Sequence, residues 1–484
     1  MSADRPLPLV PAPLTATGGA GGPFPLAGAR VVVRGAADGP ADHLVDRVAD
    51  VAGVRLTRAD SAEAGERAVV LVLDPAAGAD AAPGSYVLEV AADAVTLTAP
   101  DAAGLHHGVA TLLQLTDARS GTVAHARVTD APRFAWRGLT VDVARHFHEV
   151  RTVRTLLDVM SDLRLNVLHL HLTDDQGWRL DLPSHPELTA RSGGTAVDGD
   201  PGGWYSAADY AAIQSHAARR GIVVIPEIDL PGHVSAALHA LPELNPDGVA
   251  PPAYLGIEVG ISRLHADLPA TAPFIRSVLT DVAAMTVGPY VHVGGDEPPE
   301  MPAAEYAALV GLAVDQVRAA GKTAIGWQEA ARAALPAGSV VQYWDERADA
   351  DVVAAAAAAG ARVVLSPATR AYLDMKYDAT TTLGLEWAGH IDLRHAYDWE
   401  PLEVLPAVPA EAVLGVGAAV WAETVRTPDD LFFLLLPRLA AFAEVAWSAP
   451  DVRGWDGFVT RLRALAPRWD AAGLTWYRAP QISW

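Results

Sequence analysis

The chain has 484 residues, more than one ordinary core holds, and at roughly 100–200 residues per domain it divides into two or three units. Hydrophobic residues make up 51% and charged ones 19%, which excludes a disordered chain. A net charge of −22 repels phosphate backbones and argues against a nucleic-acid partner, and the lack of cysteine excludes disulfides and thiolate metal sites.

Residues 1–27 are rich in Pro, Gly and Ala and read as an extended or mobile segment. They hold no continuous apolar stretch of the signal-peptide kind. No run of about 18 apolar residues occurs in the chain, so no membrane span is expected. The default expectation is a cytoplasmic protein, with export open if residue 1 is not the native start.

Residues 28–131 read as a small α+β accessory domain. Strand-like runs occur at 30–33, 68–73, 85–90 and 95–98, and helical spacing at 42–52 and 103–115. Pro132 marks the seam. From 132 to 484 strands and helices alternate. Eight strand candidates fall at 139–143, 167–172, 223–228, 290–293, 323–327, 340–344, 363–366 and 413–420, with helical patterns at 150–163, 207–219, 304–319 and 349–359. This order fits the α/β class, a (β/α)₈ TIM barrel, with 431–465 as helices that finish the domain. A doubly wound sheet is the alternative, but its Gly-rich first turn has no counterpart in Asp142-Val-Ala-Arg-His-Phe.

The ends of the strand candidates carry polar and aromatic residues. They are Asp142 and Arg145; His171, Asp174, Asp175 and Trp178; Glu227, Asp229 and His233; His292, Asp296 and Glu297; Trp327 and Glu329; Trp344; Tyr372 and Asp374; and Trp421 and Glu423. In a (β/α)₈ barrel that end holds the active site. The stretch His292-Val-Gly-Gly-Asp296-Glu297 is the most informative. Adjacent acids on a regular strand point to opposite faces, but Gly294 and Gly295 free the backbone, so both can reach one cleft. Two close carboxylates in different surroundings titrate apart, as acid-assisted bond cleavage requires. Trp327, Trp344 and Trp421 offer flat apolar walls, and Arg145, Asp374 and Glu423 offer hydroxyl partners, a mixture that suits a neutral polyhydroxylated ligand. His171, Asp174, Asp229 and His233 can also be drawn as metal ligands. A hydrogen-bonded chain in which His233 joins Asp174 to Glu297 explains the same residues without metal.

These motifs resemble family 20 glycoside hydrolases, the β-N-acetylhexosaminidases. The matching segments are Arg137-Gly-Leu-Thr-Val-Asp-Val-Ala-Arg145-His-Phe, His169-Leu-His-Leu-Thr-Asp174-Asp-Gln-Gly-Trp178-Arg, Pro226-Glu-Ile-Asp229-Leu-Pro-Gly-His233, His292-Val-Gly-Gly-Asp296-Glu297, Gly326-Trp327-Gln-Glu, Gln342-Tyr-Trp344, Ala371-Tyr372-Leu-Asp374 and Val420-Trp421-Ala-Glu423. Residues 84–115 are similar to the family's accessory N-terminal domain. The resemblance implies cleavage of terminal β-linked GlcNAc or GalNAc from a small oligosaccharide or glycan, such as a chitin fragment, with no cofactor or metal. It implies that the substrate's own acetamido oxygen attacks the anomeric carbon.

By motif position, Glu297 is then the acid and later the base, Asp296 the acceptor of the acetamido N–H, and Tyr372 the donor to the acetamido oxygen. Trp327, Trp344 and Trp421 enclose the N-acetyl group, Arg145, Asp374 and Glu423 bind hydroxyls, and Asp174 and His233 lead to Glu297. Trp178 and Asp229 are supporting residues. The segments with Asn245-Pro-Asp-Gly, Pro251-Pro and Thr280-Asp-Val, and the Gly-rich loop 193–204, depart from the family pattern and are expected to shape outer subsites. Two other readings stay open: a retaining glycosidase with a carboxylate nucleophile, and a non-catalytic sugar-binding barrel.

Overall fold

A mixed seven-stranded sheet forms the first unit, in the order Thr15–Gly18, Ala126–Asp130, Tyr86–Val90, Ala94–Ala99, Ala68–Leu73, Arg30–Arg34, Thr57–Ala59. The first three neighbouring pairs are antiparallel and the last three parallel. Strands Tyr86–Val90 and Ala126–Asp130 bury alternate residues, the pattern of a sheet with one covered face. Helix Ala102–Leu115 lies against that sheet on one side and helix Val150–Asp162 of the second unit on the other. It is buried at every position from Gly104 to Leu115, as a helix sandwiched between two layers must be. The computed structural model describes residues 7–19, 21–63, 65–76 and 82–484.

The expectation of a mobile segment over 1–27 needs correction within the described residues. Residues 7–19 are extended, as their prolines imply, but held in place. Leu9 and Val10 are fully buried. Val10 exchanges hydrogen bonds with the Gln114 side chain at 2.9 and 2.7 Å, and the Ala12 N–H donates to Glu444 at 3.1 Å. Thr15–Gly18 then forms the sheet edge. Residues 1–6 and 20 lie outside the described residues.

The second unit is a closed parallel barrel whose strands follow chain order: β1 Trp136–Asp142, β2 Val167–His171, β3 Val223–Glu227, β4 Tyr290–His292, β5 Thr323–Trp327, β6 Val340–Tyr343, β7 Arg362–Leu365 and β8 Val413–Val420. Strands β8 and β1 close it, from Trp136 opposite Gly415 to Val141 opposite Val420. The predicted strands all appear, with ends shifted by a few residues. Strand β1 begins at Trp136 rather than at 139, because Arg137 and Gly138 interrupt the apolar pattern while the backbone continues through them. Trp136, Val167, Ile225, Ile325, Val340 and Val364 fill the lower interior. Toward the C-terminal ends the interior turns polar, with His169, His171, Glu227 and His292 all buried. That polarity is affordable only where each group finds a partner.

The sequence reading missed the helix Thr271–Met285 and a two-stranded hairpin, Thr173–Asp174 with Gly177–Trp178, that follows β2. No helix among the described residues is long and apolar enough to cross a membrane.

The two units meet around Trp447, at the end of helix Arg438–Trp447. Its indole N–H donates to Asp130 at 3.0 Å, and the guanidinium groups of Arg137 and Arg164 lie over its ring at 5.0 and 5.3 Å. Arg137 reaches His107 at 2.9 Å and Arg164 donates to Thr111 at 2.6 Å, both on the accessory helix. Removing the ring by Trp447→Ala leaves a cavity under two buried cations. The substitution is expected to lower stability by about 3–5 kcal/mol, read as a fall in the midpoint of chemical denaturation. An unchanged midpoint would show that the ring does not hold the units together.

Candidate active site

Glu227, the last residue of β3, is fully buried on the barrel axis. Oε1 accepts from the Trp327 indole at 2.8 Å and lies 3.0 Å from His292 Nδ1. Oε2 lies 2.6 Å from His171 Nδ1 and 2.9 Å from His169 Nε2. Burial alone would raise this carboxyl, but the three imidazoles hold it well below the usual carboxylate range. His171 continues outward, its Nε2 2.7 Å from Asp174 Oδ2. Asp174 Oδ1 is 3.1 Å from His233 Nδ1, and His233 Nε2 faces Glu297 Oε2 at 3.6 Å and Asp296 Oδ2 at 3.7 Å. The chain therefore runs from the barrel centre to the paired acids. Burial opposes charge on both histidines, yet Glu227 and Asp174 carry His171, and Asp174 and Asp296 carry His233, well above the ordinary imidazole range. Against burial, Arg145 and the two histidines hold Asp174 well below the usual range.

The paired acids diverge as the glycines before them allow. Gly294 and Gly295 adopt φ of 69° and 110°, and Glu297 itself lies at 41°. A positive φ is strained for glutamate and is tolerated where the surroundings fix it. A Cβ on Gly294 would fall 1.7 Å from Asp229 Oδ1, so the backbone passes directly over that side chain. Asp229 Oδ1 in turn accepts the Gly295 N–H at 3.2 Å. Asp296 is almost covered and Glu297 is partly open, with side chains 13% and 36% exposed, which puts the two acids in different surroundings. Burial, and then the Asp296 charge, push Asp229 well up; burial and Glu297 raise Asp296, against the pull of His233.

Both acids line a cavity of about 310 Å³ at the C-terminal ends of the strands. Trp327, Trp421, Tyr372 and Trp344 make a continuous aromatic wall, with ring centroids 5.8, 5.9 and 6.3 Å apart in that order. Arg145 lines the same cavity beside Trp421. Its guanidinium contacts Asp174 at 2.9 Å, Asp142 at 3.1 Å and Glu423 at 4.0 Å, and sits 5.4 Å from the Trp421 ring. Among the described residues, both Asp374 carboxylate oxygens, Glu423 Oε2 and Asp296 Oδ1 are buried without a hydrogen-bond partner of normal geometry. Burial, and then Glu423, push Asp374 up. Such acceptors call for donors from a bound molecule.

Most of the residues chosen from the sequence thus line one cavity: Arg145, Asp174, His233, Asp296, Glu297, Trp327, Trp344, Tyr372, Trp421 and Glu423. Asp374 is buried and is not among the residues that line the cavity, but it feels the charge of Glu423, which is. Asp229 supports the glycine turn from below. Trp178 does not face the cavity. It packs against Phe274 at 6.2 Å and donates to the Leu180 carbonyl at 2.9 Å. Its support is indirect, because it pairs with Thr173 in the hairpin that carries Asp174. Sequence reasoning missed Trp387, Arg347, Ile257 and Val259 at the mouth. Trp387 is 47% exposed in a Gly-containing loop, and an isolated exposed tryptophan was its only signal.

His171, Asp174 and Asp229 do present atoms within 4.8 Å of one another, as a metal site would. However, Asp174 Oδ2 already contacts both the Arg145 guanidinium and His171, and Oδ1 contacts His233. A cation fixed on a ligand oxygen repels a dication, so this donor set fits the hydrogen-bonded chain.

Residues 134–450 match glycosyl hydrolase family 20, catalytic domain, and residues 7–131 match glycosyl hydrolase family 20, domain 2. The chain is 56% identical over 403 residues to a β-N-acetylhexosaminidase of Cellulomonas fimi, covering 83% of this chain and 81% of that one. It is similar to the N-acetyl-β-hexosaminidase of Streptomyces plicatus, solved with thio-NAglucal, at a TM-score of 0.91 and 41% identity over 99% of this chain and 98% of that one. It is also similar to an exo β-N-acetylglucosaminidase of Vibrio harveyi, solved with N-acetylglucosamine, at a TM-score of 0.87 and 29% identity over 99% and 80% of the two chains.

The charged chain has a defined pH signature. Asp174 and Glu227 have lowered folded pKa values, so their stabilisation is complete above the unfolded value of about 4 and is lost as pH falls through the folded values. His171 and His233 have raised values, so theirs is complete below about 6.5 and is lost as pH rises through the folded values. The destabilisation caused by Asp174→Asn should therefore peak between about pH 4 and 6.5 and shrink on either side, in denaturation curves collected across pH. A difference that stays flat from well below pH 4 to well above pH 6.5 would rule out the charge coupling.

Proposed function

The chain belongs to glycosyl hydrolase family 20, and from that membership we infer that it is an exo-acting, retaining β-N-acetylhexosaminidase that removes terminal non-reducing GlcNAc or GalNAc. The observation that carries this reading is the placement of Asp296 and Glu297 in one cavity with the aromatic wall of Trp327, Trp344, Tyr372 and Trp421.

The reaction needs no nucleophilic side chain. Glu297, partly open to the mouth, protonates the glycosidic oxygen as the bond to the anomeric carbon breaks. The acetamido carbonyl oxygen forms the new bond, giving an oxazolinium ion. Water then attacks the anomeric carbon, Glu297 takes its proton, and the acetamide is restored. Two inversions leave the configuration retained. Asp296 accepts the acetamido N–H and faces the positive charge as it develops. The Tyr372 hydroxyl donates to the acetamido oxygen. Trp327, Trp344 and Trp421 press the N-acetyl group toward the anomeric carbon, which supplies orientation before the chemistry. Arg145 donates to sugar hydroxyls, and the unpartnered oxygens of Asp374 and Glu423 accept from them. Asp174 and His233 orient Glu297 and hold a positive charge beside it. The net charge of −22 argues against nucleic acid or an anionic membrane as partner, and the substrate is a small oligosaccharide or glycan.

Glu297→Gln is expected to lose roughly 10²–10⁴ in kcat on substrates with poor leaving groups, the usual scale for general acid catalysis. Asp296→Asn should lose turnover while keeping its circular dichroism spectrum, and full activity in that variant would remove the acetamide from the mechanism. Hydrolysis of aryl β-GlcNAc and aryl β-GalNAc, but not of the aryl β-glucoside, is expected with and without EDTA, as is inhibition by a thiazoline mimic of the intermediate. Equal rates on the glucoside would point to a carboxylate nucleophile, and binding without turnover to a sugar-binding barrel.

A further inference from the structure

The dipeptide Gln328-Glu329, just after β5, grips one residue of the next strand end from two sides. Gln328 Oε1 accepts the backbone N–H groups of Trp344 and Asp345 at 2.9 and 2.8 Å. Its amide donates to the carbonyls of Asp345 and Ala348 at 3.1 and 3.0 Å. Glu329 Oε2 accepts the indole N–H of the same Trp344 at 3.2 Å. Main chain and ring of Trp344 are thus fixed by neighbouring side chains of one 3-10 turn, Gln328–Ala333. Trp344 in turn stacks on Tyr372 with the ring planes 12° apart. Nothing in the reaction scheme employs Glu329.

The surroundings of this acid are unusual. It is 7% exposed. Asp296 faces it from the turn after β4, Tyr306 from helix Ala303–Ala319, and Asp349 from the start of helix Ala350–Ala358. Arg332, on its own turn, is the nearby cation, and both Asp349 oxygens engage it, at 3.0 and 2.5 Å. Burial, and then the Asp296 charge, push the Glu329 carboxyl up to about 8. The carboxyl therefore keeps its proton at neutral pH, and its carbonyl oxygen still accepts the indole N–H.

We propose that Glu329 is a positioning residue for the acetamido pocket, whose hydrogen bond to the Trp344 indole fixes that ring against Tyr372. This role rests on the hexosaminidase reading and deepens it. The acetamido group must be held bent toward the anomeric carbon, and a wall that swings loses that orientation. A second buried anion would repel Asp296, the group that must face the oxazolinium charge, and would be pulled toward water.

The test compares wild type, Glu329→Ala and Glu329→Gln on an aryl β-GlcNAc across pH 5–9, together with the affinity of each for the thiazoline mimic. Glu329→Ala should lose about tenfold in kcat/KM and in thiazoline affinity, the scale of one buried hydrogen bond removed. Glu329→Gln keeps an acceptor and carries no charge, so it should recover to within about threefold of wild type in both readouts. Wild type should also show an alkaline decline in kcat/KM centred near 8, from ionisation of Glu329, that the Gln variant lacks. The His233 imidazole titrates above its ordinary range as well, and its contribution stays in every variant. A Gln variant as impaired as the Ala variant, or pH profiles of wild type and Gln that superimpose, would overturn the role. If the Ala variant fails to fold, the wild-type and Gln profiles still decide. A wild-type protein inert on the acetamido sugar would instead overturn the hexosaminidase reading.

Discussion

A single carboxylate at the bottom of the polar chain, Glu227, is the constraint on which the rest of the site depends. It is fully buried, with three imidazole nitrogens and one indole N–H within 3.0 Å of its oxygens. Taking a carboxylate from water into a barrel core is strongly unfavourable unless such partners surround it. Once it is there, each partner is oriented in turn. His171 must present its other nitrogen to Asp174, and Asp174 must share its oxygens between Arg145, His171 and His233. The position of His233 beside the paired acids is thus set by a charge that lies several residues deeper in the barrel. Trp327 is anchored to the same carboxylate, which links the aromatic wall to the proton-handling chain through one residue.

The second constraint is local. β4 is only three residues long, and the turn that leaves it passes so close to Asp229 that a side chain at position 294 has no room. The backbone then releases Asp296 and Glu297 in different directions, one toward the covered wall and one toward the open mouth. Their unequal exposure gives two chemically different acids from adjacent positions in the chain. Asp229 is the hinge of this arrangement, although it never reaches the cavity.

The legible parts of this protein were those with a local signature. Each barrel strand is a short apolar run punctuated by glycine or polar residues, so all eight could be read, and the residues at their ends followed once the barrel was assumed. The paired acids were legible because two glycines precede them. Other features depend on partners far away in the chain. Leu9 and Val10 sit among prolines and look loose, yet they are buried because Gln114 and Glu444 take the backbone groups beside them. Trp178 lies close in the chain to Asp174, but strand alternation in a hairpin turns it away from the cavity. Trp387, Arg347, Ile257 and Val259 come from irregular loops whose path no periodicity describes. The motif Gly326-Trp327-Gln-Glu showed its tryptophan at once, whereas the use of Gln328 and Glu329 to grip Trp344 emerges only when β5 and β6 lie side by side.

The seam around Trp447 bears on how such a protein can be inherited. Arg137 and Arg164 belong to the barrel by sequence, but their guanidinium groups find acceptors on His107, Thr111 and Pro11 of the accessory domain. A gene trimmed to the barrel alone would take these partners away from Arg137 and Arg164, while a gene carrying the accessory domain alone would expose a helix that is buried here on every side. Neither half is therefore a portable module. Recombination that moves this catalyst into a new context has to carry both domains together, and added domains can be joined only outside that pair.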